Sequence, residues 1–87
     1  MFLIMFYDMG EKRVTKALKI SRKYLTWIQN SVFEGEISIS SFTKLKYELK
    51  KIMKEDEDSI IFYILRTTQY SSRELLGIEK NSDSNVI

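Results

Sequence analysis

The sequence predicts an α+β domain in which two helices cover one face of an antiparallel sheet, in the order β-α-β-β-α-β with one further strand. Two continuous apolar runs, residues 1–7 and 59–65, have the length and composition of strands from the middle of a sheet. Between them, two stretches with helical periodicity flank a segment rich in β-forming residues. A chain of 87 residues is expected to form a single domain, residues 1–87.

The first strand, residues 1–7, stops at Asp8, which places a carboxylate at the rim of the sheet. Helix one is predicted from about Glu11 to Tyr24, with Asp8 or Gly10 as its start signal. The apolar residues that mark its buried stripe are Val14, Ala17, Leu18 and Leu25.

A hairpin is predicted after the first helix. Its strands cover Leu25–Gln29 and Val32–Ile37, and a tight turn at Asn30 and Ser31 joins them. Polar and apolar residues alternate along the second strand, which is typical of a strand with one buried face. Phe33 belongs to the apolar set, and it packs either in the core or against a second subunit.

Helix two is predicted to begin with Ser40 or Ser41 as its N-cap. The acidic residues 55–58 are then expected to form a solvated turn, and the second apolar run gives a strand over residues 59–65. The apolar stripe of helix two comprises Phe42, Leu45, Leu49, Ile52 and Met53.

This element order is the ferredoxin-like layout. A mostly polar connection, residues 66–72, precedes the extra strand, residues 74–80, which contains Leu76 and Ile78. No helix remains to pair with this strand, and addition to the open sheet edge of a neighbouring subunit would bury it. The extra strand therefore favours a homodimer, and residues 81–87 are expected to form a polar tail.

The composition excludes several kinds of catalytic site. The chain contains no His and no Cys, which rules out Ser-His-Asp and Cys-His catalysis, thiolate sites and His-bearing zinc sites. Among hard, oxygen-liganded metal ions, Mg²⁺ or Mn²⁺ is the natural candidate for hydrolysis. The absence of Cys also fits a cytoplasmic protein, and the first apolar run is too short for a membrane span and lacks the features of a signal peptide.

Positive charge is segregated along the chain, although the formal net charge is only +2. Eleven of the 14 basic residues lie in two stretches, residues 12–23 and 44–54. Lys12 and Arg13, at the start of helix one, are best placed to hold phosphate, and Lys16 follows one turn later. An ordinary solvated face is the alternative, but the scarcity of acidic residues in both stretches favours nucleic-acid binding.

Asp8 has two interpretations. It either caps helix one or, with a second copy across a two-fold axis, shares a Mg²⁺ or Mn²⁺ ion that activates water for phosphodiester hydrolysis. Spacing alone favours the cap. Tyr7 points to the opposite face of the strand and is expected to be a core aromatic, and Ser31 either donates to a phosphate or completes the turn.

These motifs together resemble one known family. Tyr7 and Asp8 at the end of the first strand, the basic first helix and the string Gln29–Glu36 (QNSVFEGE) look like the second universal CRISPR-associated protein, called the Cas-two family here. This is the small endoribonuclease-type subunit of spacer acquisition. The segment 77–80 (GIEK) and the ending 85–87 (NVI) also fit, so the resemblance covers essentially the whole chain.

The resemblance implies a homodimer of ferredoxin-like domains whose C-terminal strand crosses to the partner subunit. It implies that Asp8 is the catalytic, metal-binding residue of a Mg²⁺- or Mn²⁺-dependent endonuclease acting on single-stranded RNA or double-stranded DNA. It also implies a DNA-binding scaffold that bridges two dimers of a larger CRISPR-associated integrase. Arg13, Ser31 and Phe33 match positions of the family, whereas Trp27 stands where some members have a basic residue.

The sequence leaves two main functions open. A duplex-binding scaffold should tolerate Asp8→Ala, whereas a nuclease, including a toxin-like endoribonuclease that shares this small fold, should not. One Asp per subunit without any His predicts slow hydrolysis. The sequence lacks the basic-Gly-aromatic string of an RNA-recognition domain. It also lacks the Gly-rich phosphate loop of an acylphosphatase-like enzyme.

Overall fold

The computed structural model of the chain describes residues 1–66 and 71–80. Its elements follow the predicted order and are β1 (Phe2–Asp8), α1 (Glu11–Arg22), β2 (Thr26–Gln29), β3 (Val32–Glu36), α2 (Ile39–Ile52), β4 (Ser59–Leu65) and β5 (Ser71–Gly77). The strands form one antiparallel sheet in the order β2-β3-β1-β4-β5. This architecture confirms the predicted α+β fold with its ferredoxin-like element order.

β1 lies at the centre of the sheet, between β3 and β4. Because side chains alternate along a strand, Leu3, Met5 and Tyr7 point into the core and are buried, whereas Phe6 and Asp8 point to the other face and are exposed. The apolar run correctly predicted a central strand. Among the residues that the structure describes, however, the helices cover only one face of that strand, and Phe6 and Asp8 on the other face are exposed.

The core lies between the covered face of the sheet and the two helices. Phe42 of α2 meets Phe62 of β4 edge to face, with ring centroids 5.0 Å apart, and this contact fixes α2 against the sheet. Burial of each large apolar side chain contributes about 1.5–3 kcal/mol to folding. Of the residues described, no helix combines the length and apolar composition that a membrane span requires.

Several predicted boundaries differ from the structure by one or two residues. α1 ends at Arg22 rather than Tyr24, and β2 begins one residue after Leu25. β3 ends at Glu36, one residue before Ile37. The predicted turn is present, and Asn30 adopts the left-handed backbone conformation (φ 45°) that Asn tolerates better than most residues.

The N-cap of α2 is Ser38, so the prediction of Ser40 or Ser41 was wrong. The side-chain oxygen of Ser38 accepts a hydrogen bond from the backbone N–H of Ser41 at 3.1 Å, which satisfies one of the free donors at the helix start. Three serines occur within four residues here, and each has the side chain that an N-cap needs. The sequence pattern could not decide among them.

β5 pairs with β4 of its own chain along its whole length, from Leu65 opposite Ser71 to Ser59 opposite Gly77. The predicted range 74–80 therefore lies three residues further along the chain than the observed strand. The strand also has a pairing partner, β4, within its own chain. A β-α-β-β-α-β order leaves the outer edge of β4 open, and β5 fills it. A crossing of later residues to a partner subunit stays a prediction, while residues 67–70 of the connection and the tail 81–87 lie outside the described part of the chain.

Asp58 was expected to lie in a solvated acidic turn, and this prediction was wrong for that residue. Glu55, Asp56 and Glu57 are exposed, but Asp58 has no exposed surface. Its carboxylate accepts hydrogen bonds from Nε and Nη2 of Arg13, at 2.6 and 2.9 Å. A buried carboxylate is stable only when it is paired in this way.

The same carboxylate holds two backbone segments. The N–H groups of Gly10 and Lys54 donate to its two oxygens at 3.0 and 2.9 Å. Asp58 therefore accepts the backbone N–H of Gly10, the N-cap residue of α1. The side chain of Asp8 makes no capping hydrogen bond to this helix. Of the two predicted start signals, Gly10 is confirmed as the N-cap and Asp8 is not the cap, while the carboxylate of Asp58 accepts the Gly10 N–H.

We expect Asp58→Ala to lower the free energy of unfolding by about 2–4 kcal/mol, because it leaves the guanidinium of Arg13 and two backbone donors without a partner. Urea denaturation at fixed protein concentration measures this difference. Asp56→Ala, an exposed residue of the same turn, is the matched control and should change the unfolding free energy by less than about 0.5 kcal/mol. Equal effects of the two substitutions would contradict the role assigned to Asp58.

Acid should remove the contribution of Asp58. The hydrogen bond from Arg13, followed by those from the backbone of Lys54 and Gly10, holds the pKa of Asp58 well below its ordinary value. A depressed carboxyl pKa stabilises the fold above the ordinary pKa of about 3.9 and loses that effect as pH falls. We expect the stability difference between wild type and Asp58→Asn to shrink between about pH 5 and pH 2. Urea titrations across this range test it, and a constant difference would contradict it.

Candidate functional site

An open cleft of about 300 Å³ lies at the C-terminal end of β1. Three parts of the chain form it: the end of β1, the beginning of α1 and the turn between β2 and β3. The backbone N–H of Tyr7 donates to the carbonyl of Ser31 at 3.1 Å, which holds the turn beside the strand. The residues that line the cleft are Tyr7, Asp8, Met9, Val14, Asn30 and Ser31.

Asp8 presents its carboxylate to solvent at the rim of this cleft, with 72% of its side chain exposed. The ammonium of Lys80 lies 3.5 Å from Oδ1 of Asp8 and donates to the Asp8 carbonyl at 3.1 Å. The sheet register explains this approach. Asp8 is opposite Ser59, and Ser59 is opposite Gly77, so the residues that follow β5 emerge at the same end of the sheet as Asp8.

The described residues of one chain offer a divalent metal ion too few ligands. Within residues 1–66 and 71–80 no three His, Cys, Asp or Glu side chains lie close enough to hold a metal ion. Asp8 has the hard oxygen donors that Mg²⁺ and Mn²⁺ prefer, but these ions are usually held by more than one carboxylate or by substrate phosphates as well. In the described part of the chain, the ion pair that Asp8 makes is with the ammonium of Lys80. A metal at Asp8 would therefore need ligands beyond those that residues 1–66 and 71–80 of one chain place there.

Arg13, predicted to bind nucleic acid, is engaged inside the chain. Its guanidinium contacts Asp58 and also Glu57, at 3.1 Å, and 16% of its side chain is exposed. These two carboxylates raise the pKa of Arg13. The carboxylate of Asp58 also accepts the N–H of Gly10, the N-cap of α1, so an acid already lies at the helix end where the sequence predicted a phosphate.

Lys12 and Lys16, the other basic residues predicted to bind nucleic acid, are exposed on α1. In the described ranges neither makes an ion pair, so their charge faces solvent. Other lysines are compensated: Lys23 pairs with Glu48, and Lys46 pairs with Glu74 at 3.0 Å. The basic surface is therefore narrower than the count of lysines suggested.

A contact between the helices accounts for part of this compensation. The carboxylate of Glu48 on α2 accepts hydrogen bonds from the ammonium of Lys23 and the hydroxyl of Tyr24. These bonds lower the pKa of Glu48 and raise the pKa of both donors. Lys23 and Tyr24 thus fix the end of α1 against α2, which is a structural role.

The four residues predicted to be structural or to contact a partner differ in burial. Tyr7 and Phe33 are buried in the core with ring centroids 6.1 Å apart, and burial raises the pKa of the Tyr7 hydroxyl. Leu76 is buried opposite Ile60. Ile78 follows β5 and is 37% exposed, so among these four predicted residues it alone retains substantial surface for a partner.

The sequence did not indicate two residues of the site. Asn30, predicted only to form a turn, lines the cleft with Ser31. Lys80, predicted to lie in the extra strand, reaches the carboxylate of Asp8 although 72 positions separate the two residues. The turn composition at Asn30 was a usable signal, whereas nothing in the local sequence around Lys80 indicates this contact.

Comparison with known proteins identifies related chains. The sequence model of the family "CRISPR associated protein Cas2" matches residues 1–73. The chain is 54% identical over 87 residues to a protein from Dictyoglomus turgidum named "CRISPR-associated endoribonuclease Cas2", and the match covers all of both chains. It is 51% identical over 83 residues to a protein of the same name from Thermotoga maritima, and the match covers 95% of each chain.

Solved structures agree with these sequence matches. A crystal structure described as that of cas2 superposes with a TM-score of 0.73 and 40% sequence identity, covering 92% of this chain and 90% of the other. The crystal structure of Streptococcus pyogenes Cas2 at pH 6.5 gives a TM-score of 0.69 and 34% identity, covering 75% of this chain and 86% of the other. Both comparisons support the fold described above.

Proposed function

This chain belongs to the Cas2 family of CRISPR-associated proteins, and we propose that it is a nucleic-acid-binding homodimer with a metal-dependent nuclease site at Asp8. The observation that carries the proposal is the exposed carboxylate of Asp8 at the rim of the sheet, beside a cleft and free of any capping role. Relatives named as endoribonucleases support the class of reaction. A cytoplasmic location stays a prediction from the sequence.

The proposed dimer forms through the uncovered side of the sheet, which we call the open face: Phe6, Asp8, Ile61, Tyr63 and Leu65. Phe6 and Tyr63 are each 40% exposed and pack edge to face with centroids 5.8 Å apart. Leu65 adds a further exposed apolar side chain at 37%. A contiguous apolar patch of this kind is typical of an interaction surface.

A dimer through the open face would add a second carboxylate at Asp8. Asp8 alternates with Tyr7 along β1, so its side chain points to the same face as Phe6. A two-fold axis through this face brings the two copies of Asp8 to one interface and offers a Mg²⁺ or Mn²⁺ ion two carboxylates. When bound, such an ion supplies Lewis acidity and a more acidic water for phosphodiester hydrolysis.

The chain's own residues position the nucleic acid. Lys12 and Lys16 hold backbone phosphates from the exposed side of α1, and the half-buried Ser31 offers a hydroxyl donor inside the cleft. The ammonium of Lys80 offsets the charge of Asp8, so that a phosphate is not repelled there. No His is present to act as general base, and hydrolysis is therefore expected to be slow.

A second candidate function is a duplex DNA-binding scaffold that joins a larger CRISPR-associated integrase subunit. The observation that favours it is that no cluster of metal-binding side chains surrounds Asp8 in residues 1–66 and 71–80, while basic residues are exposed on the helical side of the domain. This function needs the dimer and the lysines but not Asp8. A toxin-like endoribonuclease of the same fold needs Asp8 as much as the first proposal does.

Asp8→Ala should abolish metal-dependent cleavage of labelled single-stranded RNA or double-stranded DNA while the protein stays a folded dimer, because Asp8 is exposed and makes no core contact. Cleavage assays with Mg²⁺ or Mn²⁺, with dimer mass and thermal unfolding as checks, measure this. Tyr63→Glu is the matched variant: it places a charge on the open face, should yield monomers, and should lose cleavage with Asp8 intact.

The outcomes of this experiment separate the candidates. If both wild type and Asp8→Ala bind duplex DNA but neither cleaves, the protein is a scaffold. If both cleave equally, Asp8 is not the catalytic residue and the proposal is wrong. If monomeric Tyr63→Glu cleaves like wild type, the site does not need two copies of Asp8.

Replacing Lys12 and Lys16 together by Gln should weaken binding to duplex DNA and reduce the slope of log affinity against log salt by about 2, since two phosphate contacts are lost. Lys23→Gln with Lys46→Gln is the matched control, because it removes the same formal charge from lysines that pair with Glu48 and Glu74. Fluorescence anisotropy across a salt series gives both quantities. An equal loss of affinity for duplex DNA in the two double variants would contradict the prediction, because binding would then depend on the total charge and not on which lysines carry it.

A further inference from the structure

We infer that Trp27 is a stacking site for an unpaired base of single-stranded nucleic acid, adjacent to the cleft that contains Asp8. This inference rests on the proposed nucleic-acid-binding function and adds to it a preference between kinds of substrate. Trp27 lies on β2, the edge strand of the sheet, all four residues of which are exposed. Its side chain is 45% exposed although Trp is the residue with the most apolar surface to bury.

The indole ring is held in a fixed position. Its Nε1–H donates to the carbonyl of Asn30 at 2.9 Å, and the guanidinium carbon of Arg22 lies 5.4 Å from the ring centroid. A ring anchored at one edge and contacted by a cation loses little conformational freedom when a ligand binds. Exposure alone is common for single apolar side chains, but exposure combined with this anchoring is typical of a preformed binding surface.

The anchor connects Trp27 to the candidate site. Asn30, whose carbonyl accepts the indole N–H, lines the cleft together with Ser31 and Asp8. A base that stacks on Trp27 therefore lies beside the β2–β3 turn that forms one wall of the cleft.

The charge around Trp27 suits a polyanion. Arg22 and Lys19 are exposed on the last turns of α1, and neither forms an ion pair within the part of the chain that the structure describes. An aromatic ring beside uncompensated cations is the usual surface for single strands, because the ring stacks any base and the cations hold the phosphates. In a duplex the bases are stacked on each other, so Trp27 should distinguish single strands from duplexes.

The experiment uses the fact that Trp27 is the single Trp of the chain, so that intrinsic Trp fluorescence reports on this residue alone. The dimeric wild-type protein is titrated with a short oligouridylate, with an abasic phosphodiester strand of the same length, and with a duplex of that length. EDTA is present, so that binding is measured without any cleavage. We expect the oligouridylate to quench the Trp27 fluorescence. The abasic strand and the duplex should leave this fluorescence nearly unchanged.

Anisotropy of labelled strands then measures affinity for two variants. Trp27→Leu should bind the oligouridylate about tenfold more weakly, since one base–aromatic stack is lost, and should bind the abasic strand as wild type does. Tyr47→Leu is the matched control: Tyr47 is an aromatic on α2 with 63% exposure and the ammonium of Lys51 5.2 Å from its ring centroid, but it does not line the cleft. It should leave affinity for both strands unchanged.

Several results would overturn the inference. If the abasic strand quenches Trp27 as strongly as the oligouridylate, or if both Leu variants lose affinity equally, no base stacks on Trp27. A third result would be that single strands bind through Lys12 and Lys16 without changing Trp27 fluorescence, and that only a protein partner quenches it. The surface around Trp27 would then be a protein interface, and the proposed function would still stand. If no nucleic acid binds at low salt, the proposed function fails together with the inference.

Discussion

The ion pair between Asp58 and Arg13 holds together parts of the chain that are remote in sequence. Asp58 lies immediately before β4 and accepts hydrogen bonds at the start of α1, while its carbonyl accepts the N–H of Ile78 at 3.0 Å, just beyond β5. Gly77 has φ 86° there, and a Cβ atom at that position would lie 2.0 Å from the Asp58 carbonyl. The site at Asp8 is built on the end of the sheet that these contacts fix in place.

The elements with a strong local pattern were predictable from the sequence. β1 and β4 are continuous apolar runs, and the two helices carry apolar stripes, so their existence and order followed from periodicity. Asp58 was not predictable, because an acid among three other acids has the composition of a solvated turn. Its partner lies 45 positions away, and only the folded chain brings the two charges together.

The candidate site was predictable to a similar extent. The exposed position of Asp8 follows from the abrupt end of an apolar strand, and the proximity of Ser31 follows from the pairing of a hairpin strand with β1. Arg13 could not be distinguished from its basic neighbours Lys12 and Lys16, because all three are basic residues in the first two turns of the same predicted helix. Their difference is one of partners: two carboxylates engage Arg13, whereas the lysines face solvent.

The contact between Lys80 and Asp8 bears on the order in which ligands reach the rim of the sheet. An uncompensated carboxylate would slow the approach of a phosphate chain across a screening distance of about 8–10 Å at physiological salt. With the ammonium 3.5 Å away, the local field is close to that of a neutral dipole, and the exposed lysines of α1 dominate electrostatic steering. Under the proposed function, a polyanion would therefore approach the rim without a divalent cation already bound at Asp8.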